Sequence, residues 1–241
     1  KPIRNRRGLR KSQVMNQHQA IHHPSPNVGP RIGDPEIDML ILHYTGMQSA
    51  QEALSRLCDP TAKVSAHYLI CENGTIYQLA EEKVRAWHAG VSYWSGETDI
   101  NSRSIGIELQ NPGHEFNYHA FADEQMKTLT DLCIDILRRH PIPPERVLGH
   151  SDVAPARKKD PGELFNWHHL AKNKIGRIPR ILSPPLTFNA TWARERLNQI
   201  GYDPEVEFRV ILTAFQRHFR QNKIDGRLDQ ETAACIRSLT E

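Results

Sequence analysis

No apolar run in this 241-residue sequence approaches the roughly 20 residues that a membrane-spanning helix needs. The first 33 residues also lack the apolar centre of a secretory signal. That absence points to the cytoplasm. The chain opens on Lys1, however, so a periplasmic or outer-membrane-associated location follows instead if a leading segment has been removed. Cysteine is scarce, and Cys58, Cys71, Cys133 and Cys235 show no CxxC spacing, which excludes a cysteine zinc knuckle. They read as buried free thiols, with disulfides as the alternative. No HExxH occurs, which excludes a thermolysin-like helix. Acidic residues are missing from residues 1–33, which hold seven Lys or Arg, so the rest of the chain carries −4 of the net +3. Such an arm either touches an anionic polymer or is a solvated tail, and the second reading leaves no nucleic-acid partner expected.

What is present is ordinary for a globular protein, with 38% hydrophobic and 24% charged residues. Four regions separate by composition. Residues 1–33 are the basic arm, ending in a Pro/Gly-rich extended linker from Pro24 to Gly33. Residues 34–182 mix strand and helix patterns, residues 183–190 open with Ser183-Pro-Pro185 as a second linker, and residues 191–241 are helical. The fold class is α/β (α+β), a central mixed sheet flanked by helices, with a small C-terminal three-helix domain.

Local signals place the elements. Met39-Leu-Ile-Leu-His-Tyr44 is a compact apolar run and predicts a buried strand. Ser49–Leu57 predicts a short helix. Asn73-Gly74, between Ser65–Cys71 and Thr75–Leu79, predicts a hairpin. Ser104–Gln110 alternates as a central strand, and Asp123 caps a helix that runs to about Arg139, where Pro141 stops it. Arg146–Gly149 is a short strand leading into a loop. In the C-terminal region Gly201 ends one helix, Asp203-Pro204 starts a second carrying Phe208 to Phe219, and Asp229 caps a third. Some 55 residues make only a marginal core, which suggests a small binding module there.

The chemistry concentrates in Gly149-His-Ser-Asp-Val-Ala-Pro-Ala-Arg-Lys-Lys-Asp-Pro-Gly162, where an imidazole, lysines and a carboxylate follow a strand directly. His43, at the end of another apolar strand, offers a second imidazole. Two histidines and an aspartate make a three-donor zinc site with one position open, the equipment for amide hydrolysis. Among 13 histidines some fall at strand ends by chance, so His43 by itself also reads as a satisfied core residue. His22-His23 is excluded as a rival, because neighbours on an extended segment point opposite ways.

Leu42-His-Tyr-Thr45, Ser65-Ala-His-Tyr68, Arg85-Ala-Trp-His-Ala-Gly90, Ser104-Ile-Gly-Ile-Glu-Leu109 and the Gly149–Gly162 stretch occur in one order over about 145 residues. In these segments the chain resembles the type-2 N-acetylmuramoyl-L-alanine amidases, in particular the branch of the AmpD and AmiD enzymes. The resemblance implies one zinc ion per chain, held by His43, His150 and Asp160. It implies Glu108 as general base and acid, Lys158 as the oxyanion partner, and Trp87 and His88 as residues of the substrate cleft, His88 either touching substrate or supporting a ligand. Some relatives use a tyrosine where Ala66 stands here, which leaves the proton work to Glu108. The implied partners are peptidoglycan or anhydro-muropeptides in cell-wall turnover, with oligomeric state left open. A non-catalytic peptidoglycan recognition protein is the alternative, which the full ligand set argues against. The C-terminal segments Leu197–Tyr202, Ala214–Gln216 and Ile224–Thr232 resemble a three-helix peptidoglycan-binding module, whose role here is either glycan binding or support of the amidase domain.

Overall fold

The computed structural model describes residues 20–180 and 183–241. The basic cluster from Lys1 to Lys11 lies outside the described residues. The chain begins with two short strands, β1 (Ile21–His22) and β2 (Val28–Gly29), then β3 (Met39–Tyr44), helix α1 (Ala50–Cys58), β4 (Tyr68–Ile70), β5 (Ile76–Gln78) and β6 (Arg85–Ala86). Helix α2 (Ile100–Arg103) runs into β7 (Ser104–Leu109), followed by α3 (Asp123–Arg139), β8 (Val147–Gly149), α4 (His150–Val153) and α5 (Trp167–Lys172). Three helices close the chain: α6 (Ala190–Ile200), α7 (Phe208–Phe219) and α8 (Gln230–Thr240).

Among the described residues the main sheet has six strands in the order β1-β5-β4-β7-β3-β8. It is mixed, since β4 and β5 are antiparallel across the Asn73-Gly74 turn while the other neighbours are parallel. Parallel strands covered on both faces need apolar side chains on both, which is why β3 reads as an unbroken run. Its residues divide by alternation. Leu40 and Leu42 join Ile105, Ile107 and Leu109 of β7 under α3, whose Met126, Leu129, Cys133 and Ile136 fill that side. Met39 and Ile41 face the other way, with Trp94, Leu148 and Val153. Each such buried side chain contributes about 1.5–3 kcal/mol.

That second core does not end with the sheet. Leu197, Ile200, Tyr202, Ile211, Leu212 and Phe215 of the C-terminal helices belong to the same apolar cluster. The helical region is therefore packed into the catalytic body and stabilised by it, which answers the size problem of a short three-helix segment.

The Pro/Gly-rich stretch expected as a linker is extended, and residues 20–33 are built into the fold. β1 pairs with β5 and β2 pairs with β6. Ser25 and Asn27 are buried, and the Arg31 guanidinium donates to the carbonyls of Glu82, Asn101, Ser102 and Ser104. Backbone polar groups need partners, and a strand supplies them. Two helix starts differ from expectation. Asp123 is the first residue of α3 and Ala122 its N-cap, without a side-chain bond; Asp123 acts there as first-turn negative charge. Asp203 closes a local turn by accepting from Glu205 N, so α7 begins later, capped by Glu207. All four cysteines are free; Cys71 and Cys133 are buried, and Cys58 and Cys235 are half-buried. No helix among the described residues is long and apolar enough to cross a membrane.

Candidate metal centre and catalytic cleft

Alternation along β3 puts His43 on the face opposite α3, at the carboxyl end of the strand. Gly149 ends β8 beside it, so His150, the first residue of α4, arrives at the same edge. Asp160 returns to that edge because its carbonyl accepts from Ser151 N at 2.9 Å. The result is a nearly equilateral triangle. His43 Nδ1 is 3.0 Å from His150 Nδ1 and 3.0 Å from Asp160 Oδ2, and His150 Nδ1 is 3.0 Å from that same oxygen. All three residues are buried, and they form a group able to hold a metal ion. Zinc bonds of about 2.0–2.2 Å at tetrahedral angles space their donors about 3.3–3.6 Å apart, so the triangle needs to open by only a few tenths of an ångström.

Hydrogen bonds behind the triangle decide where the ring protons sit. His150 Nε2 lies 3.0 Å from the Ala89 carbonyl. A carbonyl only accepts, so in the neutral ring the proton is on Nε2 and Nδ1 carries the lone pair. His43 is fixed by a longer relay. Its Nε2 is 3.1 Å from His88 Nδ1, His88 Nε2 is 3.2 Å from Ser104 Oγ, and Ser104 Oγ donates to the Ile100 carbonyl at 2.6 Å. Followed back from that carbonyl, each group accepts from the next, so His43 donates through Nε2 and in the neutral ring its Nδ1 is again left with a lone pair. Burial, with His150 close by, pushes His43 down to about 4, and burial beside His43 and His67 holds His88 well below the usual imidazole range. Burial raises the carboxyl of Asp160, but His150 and His43 outweigh it and keep the group ionised. With both rings neutral, the outer bonds turn the two Nδ1 lone pairs towards the Asp160 carboxylate, a donor set suited to a cation.

The centre opens into a cleft of ≈420 Å³. Glu108 lines it, and its strand position pairs in register with His43. Glu108 Oε2 is buried with no hydrogen-bond partner among the described residues. Burial and the nearby Asp160 raise its carboxyl well above the usual range, and Lys158 acts in the opposite sense. Lys158 is half-buried at the cleft wall while its neighbour Lys159 is exposed. Trp87 is half-buried in the wall, its backbone N–H held by Ser65 Oγ at 2.8 Å. His88 borders the cleft too, but both of its ring nitrogens are engaged in the relay. Ala66 is fully buried. Residues absent from the sequence reading of the site include Ser104 and the Ala89 carbonyl. A serine at a strand start and a backbone oxygen carry no sequence signal of such a role.

What fold and site define is a hydrolase with a centre able to hold a metal. A family model for N-acetylmuramoyl-L-alanine amidase matches residues 33–163, more than half of the chain. The N-acetylmuramoyl-L-alanine amidase AmiD of Escherichia coli is 39% identical, over 86% of this chain and 83% of its own. The 1,6-anhydro-N-acetylmuramyl-L-alanine amidase AmpD of Haemophilus influenzae is 35% identical over 59% of this chain and 85% of its own. The solved complex of AmiD from E. coli with the substrate anhydro-N-acetylmuramic acid-L-Ala-D-gamma-Glu-L-Lys superimposes with a TM-score of 0.77 at 35% identity, covering 88% of this chain and 91% of that one. A Pseudomonas aeruginosa relative, AmpDh3, in complex with anhydromuramic pentapeptide gives 0.73 at 31% identity, covering 87% of this chain and 93% of that one. The chain belongs to the N-acetylmuramoyl-L-alanine amidase family.

Proposed function

We propose that this protein hydrolyses the amide between a muramyl or anhydro-muramyl lactyl group and L-alanine, with one zinc ion held by His43, His150 and Asp160. The observation that carries the reading is the convergence of two imidazole Nδ1 atoms and a carboxylate oxygen in the cleft that Glu108 also lines. Zinc in such a site supplies Lewis-acid polarisation of the scissile carbonyl and makes water a competent nucleophile near neutral pH.

The side chains supply the rest. Glu108 takes the proton of the attacking water and returns it to the departing L-alanine nitrogen, the task for which a raised carboxyl is suited. Lys158 places positive charge where the tetrahedral oxyanion develops. Trp87 offers an apolar wall to the sugar or the peptide, and His88 holds the His43 ring in its ligating tautomer. Arg56, Arg157 and Lys159 also line the cleft. Their charge suits a ligand rich in carboxylates, which supports a muropeptide as substrate.

The test is mass spectrometry of products from a defined anhydro-muropeptide and from whole sacculi, with and without chelator, alongside metal analysis. Free peptide beginning with L-alanine, lost on chelation and restored by zinc, is the expected result. His150→Ala is expected to lose metal and turnover together. Stoichiometric zinc in that variant, or unchanged cleavage under chelation, would overturn the reading.

A further inference from the structure

The two residues after His150 carry an arrangement that the amidase reaction itself does not use. Asp152 has a fully buried side chain, 0% exposed, on α4, the helix that His150 begins. A desolvated carboxylate needs donors, and Asp152 has three. Its Oδ2 accepts from Gly149 N–H at 2.8 Å, the N-cap residue of α4. Tyr202 Oη–H donates to Oδ1 at 2.7 Å and His218 Nδ1–H to Oδ2 at 2.7 Å. Two of the three donors therefore come from the C-terminal helical region.

Both donors are held firmly. His218 is stacked between Trp167, at 3.7 Å between ring centroids, and Phe219, at 3.8 Å. Tyr202 is fully buried, edge-on to Trp94 at 5.0 Å, and Ser95 N bonds to the adjoining Gly201 carbonyl at 2.8 Å. On the other side, the carboxylate cap fixes the turn at Gly149 and hence the direction in which His150 leaves the strand. The Ser151 N to Asp160 carbonyl bond passes the same constraint to the second ligand-bearing segment. Apolar packing between the sheet and the helices would hold the two regions together without these polar atoms. Hydrogen bonds at its margin are directional, and a buried charged group contributes geometry more than net stability.

The geometry points to Tyr202 and His218 as positioning residues for the metal ligand His150, acting through Asp152. The helical region then belongs to the metal centre's support, whatever else it binds. This inference rests on the metal reading above.

The test uses the full chain and reads zinc affinity by chelator competition together with the visible spectrum of the cobalt-substituted protein. In Tyr202→Phe/His218→Phe the rings and their stacking stay while both donors vanish. Zinc affinity is expected to fall about tenfold, the scale on which groups supporting metal ligands act, with a shifted cobalt band. Tyr202→Phe alone should give a smaller shift of the same kind, which keeps the test open if the double variant does not fold. His218→Asn, which can offer a side-chain N–H in place of Nδ1, should recover affinity relative to His218→Phe. Ile236→Ala, in the apolar core of the helices, should lower the melting temperature and leave both metal readouts alone. Wild-type affinity and spectrum in the folded Phe variants would overturn the inference, as would equal zinc loss in Ile236→Ala. A wild-type chain that takes up no zinc would instead remove the metal reading on which it stands.

Discussion

Glu108 and His43 occupy directly paired positions on adjacent parallel strands, so the proposed general base and a proposed metal ligand share one face of the sheet at one level. On the proposed reading, proton transfer and metal binding depend on the same two backbones. The pairing also exposes Glu108 to a cost, because its inner oxygen is buried and unpartnered among the described residues.

Glu108→Gln is expected to keep zinc and lose turnover by about 10²–10⁴-fold. Thermal stability should stay within about 1 kcal/mol, since the isosteric amide keeps an unpartnered buried polar atom at the same place. Metal analysis, single-turnover kinetics and a melting curve on one preparation check all three. Undiminished turnover would remove Glu108 from the mechanism.

Lys158 and Lys159 are adjacent in sequence and differ in setting, one half-buried at the cleft wall and near Glu108, the other exposed. Lys158→Ala should lower kcat about 10²–10³-fold with little change in KM, the signature of a group acting on developing charge. Lys159→Ala should change kcat less than about threefold and raise KM instead, as expected for a cleft charge that meets substrate alike in ground and transition state. Steady-state kinetics on a soluble muropeptide separate the two.

Gly106→Ala would place a methyl carbon 2.4 Å from His88 Cγ. His88 is bonded at both nitrogens and cannot yield cheaply. A destabilisation of about 1–3 kcal/mol is expected, with a roughly tenfold loss of zinc affinity as the relay to His43 is disturbed. Denaturant melts and chelator competition measure the two effects, and an unchanged zinc affinity would show that His88 does not position His43.

Acid should destabilise the fold through Glu82. Burial opposes its ionisation, but Arg139, His140 and the Tyr68 hydroxyl together hold it down to about 2, against an ordinary value of 4.5. A folded-state value below the unfolded one gives stability that is complete above pH 4.5 and is lost as pH falls towards 2. Allowing for partial solvent screening, about 2 kcal/mol is at stake. Glu82→Gln should flatten the fall in stability across that window, measured by denaturant melts at stepped pH.

Much of this was legible in the residues. Met39–Tyr44 declares a two-faced buried strand because every position but the last meets protein, and Asn73-Gly74 declares its hairpin because the turn needs Gly74 at φ +81. His43, His150 and Asp160 were found through motifs that keep their order in the family, and the fold brings them together. The rest depended on distance in the chain. Nothing around Pro24–Gly33 distinguishes a free linker from one whose backbone finds a sheet edge, and only the folded chain brings Arg31 to the Ser104 carbonyl. Asp152 looks like one more loop acid until Tyr202 and His218, 50 and 66 residues away, are seen to close on it. Turn competition at Asp203 likewise shifted a helix start that its Asp-Pro pair had suggested.

The relay that ends at the Ile100 carbonyl has a polarity, because its last member has no hydrogen to give. Every upstream group is thereby committed to one orientation, and reversing any of them would leave two hydrogens or two lone pairs facing each other in the interior. A cation entering between His43, His150 and Asp160 would then meet a His43 Nδ1 with no hydrogen to displace, so that ring would need no tautomer change to hold it.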